Sequence, residues 1–262
     1  MKHMSGGKPN PQHILADALR QWSRAEWRQG LQRVYAALPA TACARQGACC
    51  GLLPPVQPVE MLAWLGELRQ GDEQAGCGQA ARLVQHFLQN AAIRLPCPWA
   101  LPAACARYEN RFFGCRAYGL WSAQAYEPRR EQSLAAAKTV QAAWQGMGLA
   151  LPPEVCAPPP AYCAKVRAMD GQEIDDAGLD ALETRLAGIG QEETWHGLLA
   201  GWGGDLSYLA AGLALGWQEC LQAKVLVTRA LLWGDDKQAQ ETLAQAGQAA
   251  RAWAGDFITG AA

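Results

Sequence analysis

Two short cysteine clusters constrain the fold of this 262-residue chain more than any other feature. The clusters comprise, in chain order, Cys43, Cys49 and Cys50, then Cys97, Cys105 and Cys115. Thiolate is a soft ligand suited to zinc and to iron-sulfur clusters, and four thiolates complete either kind of site. If both clusters serve one site, the helices between them must bring the two segments together. We therefore predict a metal site built from these six thiols.

Composition narrows the class of protein and its partners. Half of the residues are hydrophobic, so the chain can bury its own core. The net charge of −1 and the absence of a lysine or arginine run predict no nucleic-acid partner and no anionic membrane surface. The longest nearly apolar stretch, 206–217, is shorter than the roughly 20 residues that a transmembrane helix needs, so no membrane segment is expected.

The cellular compartment bears on the cysteines. The N-terminal residues lack the apolar core of a secretory signal, and we expect a cytoplasmic protein. Cytosolic thiols are kept reduced, which favours metal ligation over cross-linking. The chain has ten cysteines, an even number that keeps disulfide pairing open as the alternative.

Hydrophobic periodicity indicates a mainly α fold. The clearest helical stripe consists of Ala80, Leu83, Val84, Phe87, Leu88 and Ala91. A helix broken near Gly30 is expected over 11–38, a short helix should end near Gly71, and one helical stripe covers 206–221. We predict an irregular cysteine-rich metal-binding module packed against helices, followed by a C-terminal helical bundle.

The segment from Leu95 to Tyr126 has no sustained period and is rich in proline and glycine. It is predicted to be an ordered loop with short extended pieces. A loop of this length inside a compact domain is usually functional or held by something, and a bound metal would hold it.

Three regions are expected along the chain. Residues 8–150 should form the N-terminal helix and the metal-binding module, whose core is 41–126. A stiff proline-rich connector follows over 151–170, and 171–262 should form a helical region packed on the first part. These C-terminal helices are also the surface that we assign to a protein partner.

The order of motifs around the cysteines resembles a known family. The Cys49-Cys50 pair is followed by Val59-Glu60, and then by Cys-Pro, Cys-x-x-Tyr-Glu-x-Arg and Cys-Arg-x-Tyr. This order resembles the YkgJ-like family of bacterial cysteine-cluster proteins, described as zinc- or iron-chelating, over roughly residues 41–126. The resemblance implies metal chelation, often with an iron-sulfur cluster. A related module occurs in flagellin lysine methylases.

The resemblance also assigns residues to the site. It implies six metal ligands, namely Cys43, Cys49, Cys50, Cys97, Cys105 and Cys115. Gln46 stands where the family has a further cysteine, and Phe112 stands where it has proline, so Cys156 and Cys163 are candidates for a replacement ligand. Tyr108 matches a companion residue of the second cluster and is assigned to cofactor binding.

Arginines accompany the second cluster. Arg111 and Arg116 are the leading cofactor-binding residues, because guanidinium groups offset the negative charge of a thiolate-ligated cluster and donate hydrogen bonds to sulfur. Arg45 and Arg107 could do the same, or could make ordinary surface contacts.

The leading functional hypothesis is a protein that holds a 4Fe-4S cluster for electron transfer, redox sensing or a protein-modification reaction. One alternative is a structural zinc module that braces a helical interaction domain, and another is a metal-transfer protein. No catalytic residue is assigned, and whether the protein is an enzyme stays open. Other motifs are interpreted structurally: Cys77, Cys220, His86 and His196 as non-ligands, and Asp175-Asp176 and Asp235-Asp236 as helix caps.

Overall fold

The computed structural model describes residues 11–22, 25–42, 49–102, 104–157, 162–164, 166–169 and 171–260, and this part of the chain is mainly helical. The helices are α1 (Pro11–Trp22), α2 (Glu26–Ala36), α3 (Pro58–Gln70), α4 (Glu73–Gln89), α5 (Phe113–Ala117), α6 (Ala123–Gly146), α7 (Asp176–Ala187), α8 (Thr194–Ala200), α9 (Leu206–Leu215), α10 (Trp217–Trp233) and α11 (Asp236–Thr259). The strands are β1 (Thr41–Ala42), β2 (Ala100–Leu101), β3 (Ala104–Cys105) and β4 (Arg167–Ala168), and Cys49–Gly51 forms a 3-10 turn. The predicted mainly α class is confirmed.

Helix α4 carries the clearest predicted stripe and packs centrally in the fold. Its residues Leu83, Val84 and Leu88 are fully buried, and α9, α10 and α11 all contact the helix. Gly76 lets α11 approach closely, because a Cβ atom there would lie 2.8 Å from Cδ1 of Ile258. The same large core takes in residues from α1 to α11.

Two of the predicted helices differ from the expectation in where the helix is interrupted. The N-terminal break lies between α1 and α2, whereas Gly30 lies inside α2. Gly30 makes room for a neighbour: a Cβ there would lie 3.2 Å from Cδ1 of Ile189. The stripe over 206–221 is two helices, because Gly216 adopts a φ of 92° between α9 and α10, a conformation that favours glycine.

Aspartates begin several helices, as predicted for two of them. Asp175 accepts a hydrogen bond from the N–H of Gly178 at 2.8 Å, and Asp235 accepts one from Gln238 at 3.0 Å. These carboxylates satisfy N–H groups that have no partner within their helices. Asp176 has a different role, because it accepts from the Oγ of Ser122 at 2.6 Å and so joins α7 to the start of α6.

The segment 95–126 contains the short extended pieces that the sequence predicted, as β2 and β3. It also contains α5, and α6 already begins at Ala123. A five-residue helix is too short to produce a visible hydrophobic period, so sequence periodicity could not reveal α5. In the predicted proline-rich connector, residues 158–161, 165 and 170 lie outside the described residues. None of the helices in the described ranges combines the length and apolar content that crossing a bilayer requires.

Candidate metal centre

The second cysteine cluster begins with a short hairpin. Strand β2 pairs antiparallel with β3, with Ala100 opposite Cys105. The N–H of Ala100 donates to the carbonyl of Cys97 at 2.8 Å, and the N–H of Ala106 donates to the carbonyl of Trp99 at 2.9 Å. Backbone hydrogen bonds therefore hold Cys97 and Cys105 at the base of one hairpin, where both residues are half-buried.

The first cluster meets this hairpin at Cys50. The N–H of Cys97 donates a hydrogen bond of 2.8 Å to the carbonyl of Cys50, which lies in the 3-10 turn. Burial raises the pKa of the Cys97 thiol to about 11, and interaction with the thiols of Cys105 and Cys50 raises it as well. Three of the six predicted ligands, one from the first cluster and two from the second, thus lie close enough to interact electrostatically.

Cys115 is positioned by a buried carboxylate. It lies in α5, whose first residue, Phe113, donates its N–H to Oε1 of Glu60 at 2.6 Å. The hydroxyl of Tyr35 donates to the same oxygen at 2.5 Å, and the N–H of Gln57 donates to Oε2 at 3.0 Å. Glu60 is only 1% exposed, so one carboxylate joins α2, the start of α3 and the start of the helix that carries Cys115.

The electrostatics around this carboxylate are dominated by burial. Burial raises the pKa of Glu60 despite the hydrogen bonds from Tyr35 and from two backbone N–H groups. Burial and the adjacent Glu60 raise the pKa of Tyr35 far above its ordinary value. The guanidinium of Arg116 lies 4.5 Å from the centre of the Tyr35 ring and opposes both shifts.

Arg111 and Arg116 hold the loop around the second cluster. Nε of Arg111 donates to the carbonyl of Tyr108 at 2.9 Å, and the guanidinium lies 3.9 Å from the centre of the Tyr108 ring. Nε of Arg116 donates to the carbonyl of Arg111 at 2.7 Å, and its Nη2 donates to the carbonyl of Glu109. These contacts give both arginines and Tyr108 a structural role in shaping the loop between Cys105 and Cys115.

Arg107 interacts electrostatically with the predicted ligand Cys97. Its guanidinium opposes the rise in the pKa of Cys97. Two of its nitrogens donate to Glu67 of α3, Nη1 at 2.6 Å and Nη2 at 3.4 Å, and the group lies 5.0 Å from the centre of the Trp99 ring. Its Nε is buried and has no hydrogen-bond partner within the described residues.

Replacing Arg107 by methionine should lower the free energy of unfolding by about 1–2 kcal/mol, because it removes the ion pair with Glu67. The expected loss is no larger, since Glu67 is partly solvated and water partly screens the pair. Urea unfolding measures the change. The control is Arg130→Met, which removes an exposed pair with Glu127 within α6 and should cost about 0.5 kcal/mol or less. Equal effects of the two substitutions would contradict a special role for the Arg107 pair.

The described residues supply an incomplete ligand set. No group of three or more histidine, cysteine, aspartate or glutamate residues within them has the arrangement of a metal site. Cys43, Gln46 and Arg45 lie outside the described residues, and so does the side chain of Cys49. The thiols of Cys50, Cys97 and Cys105 have the chemistry of thiolate ligands and interact electrostatically, but these three residues alone do not form a metal site.

The two spare cysteines occupy different places. Cys156 packs beside a small apolar cluster of Ala91, Trp144, Leu149 and Leu151. The backbone of Cys163 lies beside Gly119, four residues after Cys115, because its carbonyl oxygen would be 3.2 Å from a Cβ atom there.

Sequence reasoning missed the residues that hold this region together. Glu60 belongs to the motif order that carries the family resemblance, but no local pattern indicates that its carboxylate is buried. Tyr35 and Glu67 lie on helices that the sequence indicates only through their apolar positions. A glutamate within an otherwise apolar helical stretch, Pro58–Leu65, is the only signal that could have pointed to Glu60.

Comparisons of this chain with protein-family models, with curated proteins and with solved structures find no match.

Proposed function

We propose that this chain is a cysteine-ligated metal-binding protein that holds an iron-sulfur cluster. The observation that supports the proposal is the meeting of the two cysteine clusters, joined by the backbone hydrogen bond from Cys97 to Cys50. In a reduced protein, two explanations account for thiols from distant segments that lie close together. Either the thiols bind the same metal, or they only pack against each other. The order of the surrounding motifs, which resembles that of YkgJ-like proteins, favours the shared metal.

The ligands of the proposed site are Cys50, Cys97, Cys105 and Cys115, with Cys43, Cys49, Cys156 or Cys163 as further candidates. A thiolate-ligated cluster carries negative charge, and Arg107 is positioned to offset it. When bound, such a cluster supplies one-electron chemistry. The role of the protein would then be electron transfer, redox sensing or a protein-modification reaction in the reducing cytoplasm.

Metal and acid-labile sulfide content of anaerobically purified protein tests the proposal. We expect iron and sulfide in equal amounts in the wild type and a large loss of both in Cys97→Ser and Cys105→Ser. The matched control is Cys77→Ser, which changes a half-buried thiol on α4 and should keep the full content.

Two other outcomes would replace the iron-sulfur proposal. Stoichiometric zinc without sulfide, with unfolding on chelation, would indicate the structural zinc module. Zinc or iron that leaves reversibly while the fold persists would indicate metal transfer. Protein that binds neither metal after reconstitution with iron, sulfide or zinc would contradict all three forms of the proposal.

A further inference from the structure

A cavity of about 410 Å³ lies beside the cysteine region and is independent of the proposed metal. Its wall includes the segments 52–55 and 94–95, which flank Cys50 and Cys97, together with parts of α4, α6 and α10. Cavities that bind small molecules are typically about 300–1,000 Å³ and mainly apolar, with a few polar groups that orient the ligand. This cavity has that size and that kind of wall.

Lys224 of α10 supplies the cationic group of the cavity. Its ammonium donates to Oδ1 of Asn90 at 2.7 Å and lies 4.0 Å from the centre of the Phe87 ring. In the described part of the chain it forms no ion pair within 4.0 Å. A shielded cation without a paired anion is costly, and an anionic ligand would offset that cost.

The other charged and titratable groups limit the charge of the ligand. Asp205 attracts the Lys224 ammonium, but its Oδ1 is occupied by Ser207 and by the N–H of Tyr208, which it caps at the start of α9. Burial lowers the pKa of His86, with Asp205 opposing that shift and Lys224 adding to it, so this histidine adds no charge at neutral pH. Arg94 is exposed at the wall, and its Nη1 donates to the Glu154 carbonyl at 3.4 Å. The balance is one net positive charge, which suits a monoanion better than a phosphate dianion.

The remaining wall residues indicate which shape and polarity the uncharged part of the ligand should have. Trp144 and Leu151 are buried side chains that line the cavity, and Val140 of α6 lines it while remaining 53% exposed. Nδ1 of His86 is buried without a hydrogen-bond partner within the described residues, which leaves one ring nitrogen for a polar atom nearby. The site therefore combines the Lys224 ammonium, one imidazole and an apolar surface, with Arg94 exposed at its wall.

We infer that this cavity binds a small organic carboxylate, with its carboxylate at Lys224 and its apolar body against Trp144 and Leu151. The pair 4-phenylbutanoate and 4-phenylbutanamide tests the inference, because the two molecules share a shape and differ in charge. Isothermal titration calorimetry with the full chain should show the carboxylate binding about tenfold or more tightly than the amide.

Three variants assign that difference to the cavity. Lys224→Met should remove the preference for the carboxylate and leave amide binding unchanged. Lys237→Met, which removes a side chain 87% exposed on α11, is the charge-matched control and should bind both probes like the wild type. Val140→Trp should weaken both probes by filling the cavity from its exposed edge, and it needs no change at a buried position.

The dependence on pH gives an independent readout. Burial lowers the pKa of Lys224 to about 8, with Asp205 and Cys220 opposing that shift. Carboxylate affinity should therefore fall as pH rises through about 8, whereas amide affinity should stay constant. Equal affinity for the two probes, equal losses in the Lys224 and Lys237 variants, or no binding of either probe at millimolar concentration would each overturn the inference.

Discussion

Glu60→Ala is expected to lower the free energy of unfolding by about 3–5 kcal/mol, because it leaves buried donors from three separate segments without an acceptor. The N–H of Phe113 and the hydroxyl of Tyr35 both lose Oε1, and the N–H of Gln57 loses Oε2. Chemical unfolding in urea, followed by circular dichroism, measures the change. Glu60→Gln should lie between the alanine variant and the wild type, because its amide oxygen can still accept at one position.

The control for Glu60 is Glu241→Ala on α11, where the side chain is 63% exposed and the nearest cation lies 3.9 Å away. This substitution should change stability by about 0.5 kcal/mol or less. A double-mutant cycle with Tyr35→Phe isolates the hydroxyl–carboxylate bond, and a coupling energy above about 1 kcal/mol is expected for this shielded, charge-assisted pair. A Glu60→Ala variant as stable as the Glu241→Ala control would show that the carboxylate does not join the three segments.

The periodic part of the fold could be predicted from sequence, because a helix repeats its buried face every few residues. The stripe from Ala80 to Ala91 predicted α4, which ends at Gln89, and the predicted helix end near Gly71 matches the end of α3. What failed was the position of breaks within long apolar patterns. Gly30 marks a close approach by Ile189 and Gly216 marks a true break, and only the tertiary structure distinguishes these two uses of glycine.

For the candidate metal centre, the sequence predicts which cysteines are candidate ligands but not how they are arranged in space. Spacing along the chain indicated the cysteines, and the structure adds that Cys50 meets Cys97 through the backbone. Two of the three partners of Glu60 come from residues 25 and 53 positions away, so no local pattern encodes them. The same holds for the cavity, where Lys224 meets Asn90 across 134 positions. The packing of the helices brings these residues together, and the types of the paired residues do not reveal that packing.

Gly212→Ala is expected to lower the free energy of unfolding by about 2–3 kcal/mol, the effect of overpacking a core. A methyl group at this position of α9 would overlap the ring of Trp202 at its Cη2 and Cζ3 atoms. That ring is 7% exposed, and its centre lies 4.9 Å from that of Tyr208 and 4.3 Å from that of Trp217. The ring cannot withdraw without displacing its aromatic neighbours, so the backbone of α9 must move instead.

Gly197→Ala in α8 is the matched control and should have the opposite sign. Beyond its own helix backbone and chain neighbours, no heavy atom of the described residues lies within 4 Å of a Cβ built there, so the substitution adds helix propensity without a clash. It should raise the free energy of unfolding by about 0.5–1 kcal/mol, since alanine loses less backbone entropy than glycine in a helix. Urea unfolding of both variants compares them directly. Because both glycines lie within helices, equal shifts would mean that propensity alone decides, whereas opposite signs require the packing of Trp202 against α9.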